Sequence, residues 1–141
     1  MAPAPAATDT AGLRDLLTAH GINPTPQRLE IAAILLARPQ HLSAEQVLQE
    51  VSGAGGRVSK ATVYNTLGLF ADKGLVRQVI VDSAKVFYDS NVRPHHHFYD
   101  VATGRLTDID ASQVQLQSLP DIPEGAVVEG VDVVVRVRSQ G

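Results

Sequence analysis

In the first half of the chain, apolar residues recur every three or four positions, the period of helices with one buried face. In the second half they alternate, the period of strands. Thr10 is placed to cap a first helix in which Leu13, Leu16 and Leu17 share a face, with Gly21 as its stop signal. Thr25-Pro26 opens a second helix whose apolar face is Ile31, Ile34 and Leu35, and Arg38-Pro39 closes it. Ser43-Ala44-Glu45-Gln46 is a capping box that starts a third, with Val47, Leu48 and Val51 inward. Ser52-Gly53-Ala54-Gly55-Gly56 reads as a flexible loop. Ser59 caps a fourth helix, residues 60–72, and Gly74 stops it.

Two β-rich runs, residues 76–81 and 86–88, flank a polar turn and form a hairpin. Helices followed by a hairpin give the order of a winged helix-turn-helix. The fourth helix carries two stripes. Val63, Leu67 and Phe70 are its core face, while Lys60, Tyr64 and Gly68, with Ala61 and Asn65 beside them, are small, cationic or hydrogen-bonding. A major groove accepts such a face, and a solvated surface accepts it equally well. The candidate DNA-contacting residues are Arg28, Ser59, Lys60, Ala61, Thr62, Tyr64 and Asn65, with Arg77 and Lys85 on the wing near the phosphates.

Beyond the hairpin, residues 89–94 are turn-rich. A strand is expected from the histidines to about Val101, a turn at Thr103-Gly104 and a second strand over residues 105–109. A short helix capped by Asp110 or Ser112 should run through Leu116, and a last strand over residues 131–138. So little structure makes a weak independent core, of the kind that pairs with a copy of itself. The expected architecture is α+β: a winged-helix domain over residues 1–88 (with 1–9 a flexible tail), a linker over 89–96, and a small α/β dimerisation and metal-sensing domain over 97–141.

Composition narrows the classes. No cysteine means no disulfide and no thiolate site. No apolar run approaches a membrane span, and the Ala/Pro-rich start lacks the marks of a signal peptide, so a cytoplasmic protein without a membrane partner is expected. The net charge of -3 is uneven: eight Lys/Arg against seven Asp/Glu over residues 1–88, four against eight over 89–141. The first part can approach phosphate and the second suits cations.

Three of the five histidines stand together as His95-His96-His97. Strand alternation sends His95 and His97 to one face and His96 to the other. Two imidazoles on one side suit iron, manganese or zinc, although a polar loop is also compatible with the triplet. With Asp108 they could also form the two-histidine, one-carboxylate triad of a non-haem iron enzyme. A chain this short offers little to enclose a substrate.

Thr25-Pro26-Gln27-Arg28, His41-Leu42-Ser43-Ala44-Glu45, Ala61-Thr62-Val63-Tyr64, and Phe87-Tyr88-Asp89 before the triplet resemble the ferric uptake regulator superfamily over nearly the whole chain. Asn65-Thr66-Leu67, the full triplet and the missing cysteines look closest to its iron response regulator branch. The resemblance implies a dimeric transcriptional regulator on a pseudo-palindromic DNA operator, controlling iron homeostasis genes, and not an enzyme. A peroxide-sensing iron or manganese repressor is the alternative. The regulatory metal site carries over to His41, Asp89, His95, His97 and Asp108, holding Fe²⁺ or Mn²⁺, with Zn²⁺ able to substitute in vitro. The family's structural four-cysteine zinc site does not carry over: Asp100 and Thr103 occupy its first pair. A second family site also fails, with Pro94 and Gln115 at ligand positions. His96 is left as a possible haem or second-site ligand, because the branch resemblance adds haem as a candidate partner.

Overall fold

The computed structural model describes residues 9–140. They divide into two compact units, with the boundary between Val92 and Arg93.

The first unit runs α1 (Thr10–Ala19), α2 (Pro26–Leu35), β1 (His41–Ser43), α3 (Ala44–Gly53), α4 (Lys60–Asp72), β2 (Arg77–Asp82) and β3 (Lys85–Asp89). Asp9, not Thr10, caps α1, its carboxylate accepting from the Gly12 N–H. A carboxylate satisfies that donor and also meets the positive end of the helix. Thr25 and Ser59 cap α2 and α4 as expected, and both halves of the Ser43/Gln46 capping box are made. α3 continues through Ser52 and Gly53, so part of the expected loop is helix. The chain then turns back with Gly56 N–H donating to Val51 O at 2.9 Å. A Cβ on Gly56 would lie 2.7 Å from Val51 Cγ1, so only glycine fits that return. Gly74, at φ 77°, ends α4.

The helices bury one continuous apolar cluster, including Leu17, Ile31, Leu35, Val47, Val63 and Phe70. The hairpin β2–β3 gains a third strand that periodicity could not show. β1 is only three residues long and pairs antiparallel with β3, giving the order β1-β3-β2. Its existence depends on a partner strand more than forty positions away, through His41↔Asp89 and Leu42↔Tyr88. Helices followed by this small sheet are a winged helix.

The second unit is a three-stranded sheet in the order β5-β4-β6, built from β4 (His95–Asp100), β5 (Leu106–Asp110) and β6 (Val134–Val137). β5 is antiparallel to β4 and β6 parallel to it. β5 returns the chain to the start of β4, and residues 111–133 carry it past β4 to the start of β6 on the other side. The helix expected through Leu116 is reduced to a 3-10 turn, Ala111–Gln113, capped by Asp110. Leu116 and Leu119 are about half exposed, so no buried face rewards helix formation there, and Pro120 and Pro123 bar a helix from the residues beyond. The last strand is also shorter than its alternation suggested. β3 runs through Asp89 and β4 starts at His95, so the connection is residues 90–94 and both His95 and His96 belong to the sheet rather than to a linker. Among the described residues no helix is long and apolar enough to cross a membrane.

Candidate metal ligands and nucleic-acid surface

In the second unit, the register of β4 against β5 sets His97 opposite Asp108 and His95 opposite Asp110. All three histidines are buried. His95 Nε2 lies 3.7 Å and His97 Nε2 3.3 Å from the same oxygen, Asp108 Oδ1. The donor atoms of the three residues lie within 4.8 Å of one another. Ligands about 2.1 Å from one ion stand roughly 3–3.5 Å apart, so this convergence fits a shared cation.

The tautomer of His95 agrees with that reading. His95 Nδ1 is 2.6 Å from the Arg93 carbonyl oxygen, which can only accept. Nδ1 therefore carries a proton, which makes Nε2, the nitrogen beside Asp108, the one that could coordinate a metal. Two imidazoles and a carboxylate suit Fe²⁺, Mn²⁺ or Zn²⁺.

His96 behaves differently. Its Nδ1 accepts a hydrogen bond from the Val133 N–H at 3.0 Å. Asp100, where the resembling family has its first cysteine, also has a defined task. Its carboxylate accepts from the N–H groups of Ala102 at 2.9 Å, Thr103 at 3.3 Å and Ser139 at 3.3 Å, and from the Ser139 hydroxyl. The Ser139 hydroxyl first, then these N–H groups, lower its pKa from 3.8 to about 2.

In the first unit, His41, Asp89 and Arg77 occupy one row across the sheet, paired His41↔Asp89 and Arg77↔Asp89. Residues directly opposite send their side chains to the same face, so a histidine, a buried carboxylate and a guanidinium stand side by side. Asp89 also accepts from the Asn91 N–H at 2.9 Å, and His41 packs edge-on against Phe87 with ring centroids 6.1 Å apart. Arg77 lies at the base of the wing, beside Asp89 and far from the hairpin turn. Reading β2 without its register concealed this, since the paired end of a hairpin lies farthest from its turn. Lys85, beside the turn and exposed, is the wing-tip cation.

On α4 the core stripe is fully buried, and Lys60, Ala61, Tyr64, Asn65 and Gly68 are exposed together. Lys60 is 3.6 Å from Glu45 Oε1 and its ammonium lies 5.8 Å from the Tyr64 ring centroid. Both contacts are solvent-exposed and weak enough to exchange for a phosphate. Ser59 spends its hydroxyl on the cap, accepting from the Thr62 N–H at 3.1 Å and donating to Thr62 Oγ1 at 2.9 Å. Arg28, in the first turn of α2, donates to the Asn23 carbonyl at 2.9 Å.

Sequence reasoning missed the Arg93 carbonyl that orients His95, the Arg77 neighbour of Asp89, and the Val133 and Ser139 contacts of β4. The Arg77, Val133 and Ser139 contacts depend on strand register, whereas the Arg93 contact, only two residues from His95, depends on the bend that leads into β4.

A winged helix followed by a sheet that gathers histidines and a carboxylate defines a DNA-binding-type domain with an appended metal-ligand unit. The chain belongs to the ferric uptake regulator family, which it matches over residues 19–133. It is 31% identical over 94 residues to the peroxide-responsive repressor PerR of Staphylococcus aureus, a stretch covering 67% of this chain and 64% of that relative's length. The ferric uptake regulator of Pseudomonas aeruginosa, solved with manganese, is 25% identical at a TM-score of 0.68, covering 91% of this chain and 98% of that one. The Vibrio cholerae ferric uptake regulator has the same fold, at 22% identity and a TM-score of 0.69, covering 89% of this chain and 98% of that one. These relatives are named as regulators, not as enzymes.

Proposed function

We propose that this protein is a metal-responsive transcriptional regulator that binds operator DNA as a homodimer. The observation that carries the reading is the convergence of His95 and His97 Nε2 on one Asp108 oxygen, in a chain whose α4 exposes a groove-compatible face. His41 and Asp89 from the first unit, with His95, His97 and Asp108 from the second, would hold one Fe²⁺ or Mn²⁺. Such an ion supplies a positive charge that offsets two carboxylates and a coordination shell shared between the units. Ligands drawn from both units restrict the angle between them, and in a dimer that angle sets the separation of two α4 helices over successive major grooves. Metal and DNA affinity are then linked, typically by ~1–3 kcal/mol. Exposed Phe98, Leu116, Leu119 and Ile122 on the second unit support a second copy as partner.

Selection from a random duplex pool supplies an operator fragment, and fluorescence anisotropy compares apo, Mn²⁺-loaded and haem-loaded protein. A change in affinity on Mn²⁺ loading, abolished by His41→Ala, is expected; equal affinities in all three states would overturn the reading. The branch resemblance favours activity in iron limitation and a haem response, and the haem arm tests it. The peroxide-responsive name of the Staphylococcus relative favours a second reading, in which added peroxide oxidises a ligand histidine of the Fe²⁺-loaded protein: the O–O bond breaks, one oxygen joins the ring and the other leaves as water. Mass spectrometry of the ligand-bearing peptides decides between them.

A further inference from the structure

We infer that His96 is a positioning residue that fastens the C-terminal strand to the ligand-bearing strand, and not a ligand. Val133, immediately before β6, is gripped on both sides by consecutive residues of β4. Its N–H donates to His96 Nδ1 at 3.0 Å and its carbonyl accepts from the His97 N–H at 3.1 Å. A backbone N–H can only donate, so His96 Nδ1 must be unprotonated and the neutral ring carries its proton on Nε2. Neither nitrogen then offers a free lone pair: Nδ1 has spent its own on Val133, and Nε2 bears hydrogen. His96 is thus in the opposite tautomer to His95, whose Nδ1 donates to Arg93 O. Neighbouring histidines on one strand have been given opposite tasks by the carbonyl or N–H that faces each.

At its far end β6 is tied by the same strand. The Val101 N–H donates to Val137 O at 2.9 Å, and Asp100 accepts from both the N–H and the hydroxyl of Ser139. β6 is exposed along most of its length, so side-chain packing does little to hold it. Two side chains of β4, His96 and Asp100, therefore clasp the segment at both ends without any thiolate. Because His96 lies between His95 and His97, ordering of the ligand strand passes directly to Val133. This coupling rests on the metal reading above; the clasp itself does not.

Hydrogen exchange at the Val133 amide tests it in the full chain, with His96→Asn and His96→Phe. Asparagine Oδ1 reproduces the acceptor at the Nδ1 position but offers no ring nitrogen. In apo protein, His96→Phe should speed Val133 exchange about tenfold, the worth of one hydrogen bond, while His96→Asn stays within about threefold of the parent. Mn²⁺ should slow Val133 exchange in the parent and in His96→Asn, and not in His96→Phe even though that variant still binds the ion. Circular dichroism confirms folding, and if His96→Phe does not fold, His96→Asn decides alone. Parent-like Val133 protection and parent-like Mn²⁺ or haem stoichiometry in His96→Asn uphold the clasp. Loss of one equivalent of either ligand, or exchange as fast as in an unprotected amide, overturns it. Failure of the parent to bind Mn²⁺ overturns the metal reading and the coupling, while the apo comparison still judges the clasp.

Discussion

The two units of this protein solve the problem of stability in opposite ways. The first closes an apolar core over four helices, in which Leu17, Ile31, Leu35, Val47, Val63 and Phe70 are fully buried. The second buries few hydrophobic side chains, Tyr99, Leu106 and Ile109, and puts three histidines inside with them. Other apolar residues of the unit, such as Val127 and Leu116, are exposed. A unit that keeps its polar groups in and its apolar groups out depends on what those groups bind: an ion for the first, another surface for the second. The first unit is a finished fold, whereas the second is one that the proposed ion and second copy would complete.

That contrast can be broken at its strongest point first. Phe70→Ala should cost about 3–5 kcal/mol, enough to unfold the first unit, and urea denaturation followed by circular dichroism would show it. A loss below about 1 kcal/mol would mean that this core is not closed. In the second unit, His97→Ala should weaken Mn²⁺ binding by more than about 100-fold by calorimetry, since even residues that only orient ligands are worth 10–100-fold. It should also abolish the rise in melting temperature that Mn²⁺ gives the parent. Returning to the first unit, Ser43→Ala removes half of the capping box and should cost about 1 kcal/mol regardless of metal.

The acid response sharpens the comparison further. Asp100 titrates at about 2 in the folded chain, against 3.8 ordinarily. A lowered folded value means that its contribution is complete above about pH 4 and fades as pH falls toward 2. Asp100→Asn should therefore reduce protection of the Ser139 amide at neutral pH and flatten its loss over that acid window, measured by hydrogen exchange corrected for intrinsic rate. The smallest effect is at the surface of α4. Lys60→Ala should lower the slope of log affinity for DNA against log salt by about 1, without altering metal binding.

Legibility in the sequence tracked the range of the interactions involved. The caps at Thr25, Ser43 and Ser59, the stop at Gly74 and the stripe Val63/Leu67/Phe70 were all readable, because each is satisfied within a turn or two of helix. The pairing of His95 with His97 on one face was readable for the same reason, from alternation alone. β1 was not, because three residues have no period. The helix through Leu116 was wrongly expected, because its pattern finds nothing to pack against. Arg77 was expected on the wing near the phosphates, and only the register shows that it stands beside Asp89.

The amino-acid sequence by itself determined the helices of the first unit, the strand that carries the histidines, and the family to which those motifs point. The folded structure alone decided which ring nitrogen of His95 and of His96 the backbone engages. The Arg93 carbonyl turns His95 Nε2 toward Asp108, and the Val133 N–H claims His96 Nδ1. The physical reason is that local propensity places a side chain on a face. Its protonation and direction are set by the donor or acceptor that the folded backbone brings against it, the nearby Arg93 carbonyl for His95 and the distant Val133 N–H for His96.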